Sequence, residues 1–144
     1  MLLKKTNTAL AAALILFILW FGTEFVLSPE TTAPGFGLPS WPSGDGGGFL
    51  VVKGIRDVVL ALVLGVLLVT GHRRALSRVL LVEALAAYGD MTTVLAHHGS
   101  VATALGVHGL TATVMAANGL LMTRETREVT TAPVAPGSRS RTAY

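Results

Sequence analysis

Four residues in this sequence could handle protons or charge, and all four sit inside apolar runs. Arg56 and Asp57 lie in VVKGIRDVVLALV, Asp90 in AAYGDMTTV and His108 in LGVHGLTA. A carboxylic acid and an imidazole brought together can exchange a proton with a substrate. In that reading Asp90 is the general acid or base and His108 its proton partner. Arg56 holds a carboxylate or stabilises a developing oxyanion, and Asp57 orients Arg56. The chemistry would be proton-driven isomerisation, cyclisation or hydrolysis of a lipophilic small molecule, without metal or redox cofactor. Lys53, Glu24, Tyr88 and Trp41 are the candidate substrate contacts.

Other chemistries lack their residues. There is no cysteine, so no thiol nucleophile, thiolate metal site or disulfide framework. No P-loop, G-x-S-x-G, H-E-x-x-H or dinucleotide fingerprint occurs. His97 and His98 are adjacent beside Gly99, and a solvated turn accounts for them better than a metal pair. No metal or other cofactor is expected.

The elements that position these residues are membrane spans. The chain has 144 residues, 51% hydrophobic and only 13% charged, where a soluble domain carries about 25% charged. The apolar residues are clumped in four runs, at about Ala9–Leu27, Phe49–Thr70, Leu76–Ala96 and Val101–Met122. Each is close to the ~20 residues that cross hydrocarbon as a helix. Runs this long are not the short alternating strands of a barrel. The expected fold is therefore all-α, an integral membrane four-helix bundle. The first run follows Lys4 and Lys5 as a signal peptide does, but it is long for one and lacks an A-x-A-like cleavage site.

Orientation follows from the basic residues. Lys4 and Lys5 precede the first span, Arg73, Arg74 and Arg78 follow the second, and Arg124, Arg127, Arg139 and Arg141 follow the fourth. The opposite loops, 28–48 and the turn at His97–Gly99, hold neither Lys nor Arg. By the positive-inside rule both termini are cytoplasmic and the membrane is the plasma membrane. These basic residues read as topology signals, so no nucleic-acid partner is expected; the bilayer is. Residues 1–7 form a cytoplasmic N-terminus and 123–144 a disordered cytoplasmic tail. In the outer loop GDGGG is a linker, whereas PGFGLPSW could pack onto the helix ends.

These spans give the charges a depth. Lys53, Arg56 and Asp57 share one helix face by their i, i+3, i+4 spacing. At 1.5 Å per residue, Arg56, Asp90 and His108 each lie about 8–10 Å below the outer end of their spans. Glu83 is one heptad before Asp90, nearly on its face and closer to the mid-plane. Charges at such depth face a bundle interior or a wet cavity. Arg56 should pair with Asp90 or Asp57, His108 could bond Asp90, and Lys53 is long enough to snorkel outward. Ala84, Ala87 and Gly89 offer close helix approach. Asn118 offers a helix–helix hydrogen bond, and Trp20 and Phe21 an interfacial or lipid-facing surface.

The stretch APGFGLP, the element KGIRD, the aspartate of AYGDMT and the HG of GVHGLT together resemble a family of small four-span membrane proteins, domain of unknown function 4267. The matching positions are Gly35, Phe36, Gly37, Pro39, Gly54, Arg56, Asp57, Asp90 and His108, within roughly residues 8 to 122. The resemblance implies the fold and topology and no established activity; occurrence of relatives near secondary-metabolite genes suggests a biosynthetic role.

Four readings follow. The chain is a membrane protein with a polar outer cavity that binds a lipophilic small molecule, or the cofactor-free enzyme outlined above. Alternatively it is a small transporter, with a homo-oligomer as its working form, or a structural subunit whose ion pairs lock the bundle. Against the transporter, Glu24 lies too near the end of its span to be a mid-membrane proton carrier.

Overall fold

A computed structural model describes residues 2–131. Among the described residues there are helices and turns and no strand. In chain order they are α1 (Leu2–Leu27), α2 (Pro29–Thr32), 3-10 turns at Ala33–Phe36 and Gly44–Gly47, α3 (Gly48–Val69), α4 (Arg73–Ala96), α5 (Val101–Thr103), a π-helical stretch Ala104–Gly109, and α6 (Leu110–Thr131).

The breaks between helices have local causes. Pro29 disfavours helical backbone at Ser28, which takes φ −142°. α3 stops at Gly71, whose φ of +75° suits glycine, and His72 closes the turn by donating to the Leu67 carbonyl at 3.0 Å. α4 ends in the same pattern but with His98 in the left-handed position, φ +55°, and Gly99 donating to the Val94 carbonyl at 2.8 Å.

Three of these helical runs, Leu2–Leu27, Arg73–Ala96 and Val101–Arg127, are long and apolar enough to cross a membrane. α3 is comparable in length at 22 residues but carries Lys53, Arg56 and Asp57 in its first half. Many large apolar side chains point outward, Leu16, Trp20, Val59, Leu62, Val66, Val82 and Leu85 among them. That is the arrangement of a protein solvated by hydrocarbon.

α1 packs chiefly on α3, and α4 chiefly on α6. The α1–α3 contact is close because it is made by glycines. A Cβ placed on Gly54 would lie 2.7 Å from the Gly22 carbonyl oxygen, and one on Gly22 would lie 2.9 Å from the Val58 backbone nitrogen. In the second pair a Cβ on Gly119 would lie 2.9 Å from the Ser77 carbonyl oxygen. Small residues admit such approach in membrane helices. Gly89, expected to do the same, is exposed and meets nothing within 4 Å; Ala84 is buried and Ala87 borders a cleft. The close contacts are elsewhere.

The interior is divided along its length. Near one end Ala11, Leu14, Leu64, Leu76, Leu80 and Met122 form a dry core. Beyond it, Arg73 grips Glu125 with two parallel bonds of 2.8 Å, and donates to Thr8 Oγ1 at 3.0 Å. Asn7 Nδ2 donates to Glu125 at 3.1 Å, and Asn118 Nδ2 reaches the Asn7 carbonyl at 3.4 Å. This clamp ties the start of α1 and α4 to α6, and α6 runs on past Met122 to Thr131. The disordered tail was expected from residue 123; its first part, to Thr131, is helical instead, and residues 132–144 lie outside the described residues.

Candidate functional site

The other end of the interior is a cleft of about 70 Å³ bordered by all four long helices. It is where the charges of α3 and α4 meet. Lys53 pairs with Asp57 one helical turn away, because i and i+4 lie on one face. Arg56 places Nε at 3.1 Å and Nη2 at 3.0 Å from Asp57 Oδ1. The same Nη2 stands 3.7 Å from Asp90 Oδ2 on α4. Arg56 thus bridges two carboxylates, the nearer on its own helix. Its side chain is 48% exposed, against 11% for Asp57, so it stands at the cleft rim.

Lys53 does not snorkel away. Its Nζ lies 5.2, 4.7 and 4.9 Å from the ring centres of Phe21, Phe25 and Phe36. A carboxylate and three phenyl faces replace the water an ammonium would otherwise keep. Phe21 therefore turns inward to the cleft, where an interfacial position was expected. Its neighbour Trp20 is exposed.

His108 is buried on the π-helical stretch. Such stretches often mark functional sites because they re-aim side chains. Its Nε2 lies 2.8 Å from the Phe36 carbonyl oxygen. A carbonyl only accepts, so Nε2 carries the hydrogen, and in the neutral ring Nδ1 is left as an acceptor. No hydrogen bond joins His108 to Asp90 among the described residues. Phe36 is there because the APGFG segment folds over this end of the helices. Ser100 N donates to the Gly37 carbonyl at 2.7 Å, and the Phe36 and His108 rings are 4.6 Å apart. Gly37 has φ +95°, and a Cβ there would meet Thr103 Cβ at 2.8 Å.

Arg56, Asp57, Asp90, His108 and Lys53 thus share the cleft. Glu24, Tyr88 and Trp41 do not border it. Glu24 is half-buried, and it is its carbonyl that accepts, from Thr32 Oγ1 at 3.1 Å. Tyr88 Oη lies 3.2 Å from Thr113 Oγ1, and Trp41 is exposed in the loop. Two contributors absent from the sequence-derived set are Glu83 and the α1 wall of Phe17, Ile18 and Phe21. The heptad spacing from Asp90 was the available signal for Glu83. Nothing in the uniformly apolar α1 distinguishes its cleft face.

Among the described residues no group of three His, Asp or Glu side chains could hold a metal ion. His97 Nδ1 is 2.9 Å from the Thr93 carbonyl, a local cap. The family model for domain of unknown function 4267 matches residues 15–122. The chain belongs to the DUF4267 family. The match takes in the APGFG segment, the α3 charges, Asp90 and His108, so the whole cleft lies within the DUF4267 region. Neither a curated protein nor a solved structure matches the chain.

Proposed function

We propose that this DUF4267 protein crosses the plasma membrane four times with both termini in the cytoplasm, and that its outer cleft binds a lipophilic small molecule. The observation that carries the reading is the cleft itself. Lys53, Arg56, Asp57, Glu83 and Asp90 converge there from two helices, against a hydrocarbon wall from α1. Ionisable side chains at membrane depth are expensive, and their usual role is at a ligand or ion path. α3 is the fourth span: its charges turn to the cleft, while Val52, Ile55, Val59, Leu62 and Val66 face outward.

Thermal stability in detergent, screened against a panel of lipophilic metabolites, tests ligand binding. Wild type should be stabilised by at least one compound, and Asp90→Asn and His108→Ala should fold but lose that shift. Collapse of both variants with no shift in wild type would leave the charges a purely structural role. Topology is tested separately. The chain has no cysteine, so single cysteines at Ser43 and Thr6 report cleanly to an impermeant maleimide. Labelling from outside is expected at position 43 alone, and labelling at position 6 refutes the orientation.

A second reading, acid–base catalysis on the bound molecule, is favoured by the His108 tautomer. With Nε2 committed to Phe36, Nδ1 is free to accept a proton. Asp90 is the partner acid, and Arg56 stands where a developing oxyanion could be met. Under this reading Asp90→Asn abolishes turnover while binding persists.

A further inference from the structure

We propose that the cleft takes the ammonium head of a lipophilic amine, with the Glu83 carboxylate as its counter-ion. The proposal rests on the reading of the cleft as a small-molecule site and specifies its ligand class. Glu83 borders the cleft and is only 7% exposed. Both its carboxylate oxygens are buried, and neither has a hydrogen-bond partner among the described residues.

The charges around it do not balance. The cleft holds three carboxylates, Asp57, Glu83 and Asp90, and two strongly basic side chains, Lys53 and Arg56, with the His108 ring committed to Phe36. Both cations are engaged by Asp57, and Arg56 also by Asp90. None reaches Glu83. A buried carboxylate without a partner is strongly unfavourable, so the site calls for one more positive group. An anionic head would meet three carboxylates in its place. A divalent ion would need further ligands that the described residues do not gather.

The walls suit an alkylammonium. Phe17 and Phe21 offer aromatic surface and Ile18, Leu60 and Met115 offer hydrocarbon. Lys53 displays the same solution in the same cleft, an ammonium held by one carboxylate and three phenyl rings. Size sets the rest. The cleft of about 70 Å³ is roughly half the ~150 Å³ that holds a benzene. It accepts a head group and its first carbons, and the remaining chain runs out between the helices into lipid.

The test uses the full chain in mild detergent and three probes of matched length: hexylamine, hexanol and hexanoate. Hexylamine is expected to raise the midpoint of thermal unfolding by about 2–4 °C at saturating concentration, with hexanol and hexanoate well below it. Glu83→Gln and Glu83→Met should fold at least as well as wild type, having lost an unpaired buried carboxylate, and should lose the hexylamine shift. Retention of that shift in either variant overturns the role of Glu83. If hexanol or hexanoate stabilises wild type as strongly as hexylamine, the amine preference is wrong and the cleft remains a lipophile site. If no probe, and no compound of the metabolite panel, shifts wild type, both readings fall and Glu83 is simply held with a proton.

Discussion

His108 Nε2 and the Phe36 carbonyl oxygen are 2.8 Å apart, joining residues 72 positions apart in the chain. This bond anchors the APGFG segment to the π-helical stretch. His108→Phe keeps a ring against Phe36 and removes the donor. It should cost about 1–2 kcal/mol, the usual loss for a part-buried hydrogen bond. Hydrogen exchange at Ala33–Gly37 should rise with it. Unchanged protection there would show that Ser100 and Gly37 hold the segment alone.

Asp57 and Asp90 are not equivalent partners of Arg56. Asp57 accepts from both Lys53 and Arg56, and Asp90 meets only a half-exposed guanidinium at 3.7 Å. Asp57→Asn leaves the largely buried Lys53 ammonium without its carboxylate and removes the nearer partner of Arg56, and should destabilise by about 3–5 kcal/mol. Asp90→Asn should cost less than about 1 kcal/mol. Denaturation of both variants in detergent checks the order, and a reversed order would contradict the pairing described above.

Gly54→Ala brings a methyl to 2.7 Å from the Gly22 carbonyl oxygen. Backbone cannot yield as a flexible side chain does, so about 1–3 kcal/mol of stability should be lost. Gly65→Ala is the control on the same helix. Its methyl meets only Ile15 Cγ2, at 3.9 Å, and the change should be neutral or stabilising by up to ~1 kcal/mol.

Glu125 closes the opposite end of the molecule through Arg73 and Asn7. Glu125→Ala should lower stability by about 1.5–3 kcal/mol, as loss of charge-assisted hydrogen bonds does. It should also speed amide exchange over residues 123–127 while leaving ligand-induced shifts at the distant cleft intact. Loss of those shifts would mean the two ends are coupled.

The long apolar helices were readable because their cause is local, whereas the start of α1 at Leu2, the run of α6 to Thr131 and the π-helical stretch were not. Clumped hydrocarbon at span length, Pro29 after Ser28, and the left-handed Gly71 act over a few residues. The gathering of Arg56, Asp57, Asp90 and His108 was readable for a related reason: charges placed at matching depths in apolar runs have nowhere to go but inward. The family match covers all four residues.

Which atoms meet inside was decided only by the tertiary structure. His108 and Asp90 lie at matching depths and could have bonded, and His108 turned instead to a loop carbonyl. Lys53 was free to snorkel, and three phenylalanines from α1 and the loop held it in. Glycines 22 and 54 carry the close crossing that Ala84, Ala87 and Gly89 seemed as fit to make. Glu83 and Glu125 look alike as letters, one acid in an apolar helix and one near its end. Packing leaves the first without a partner and grips the second with an arginine. Pairwise contacts of this kind depend on the rotation of each helix about its own axis. That rotation is set by the sum of all contacts along the helix, and no short stretch of sequence contains it.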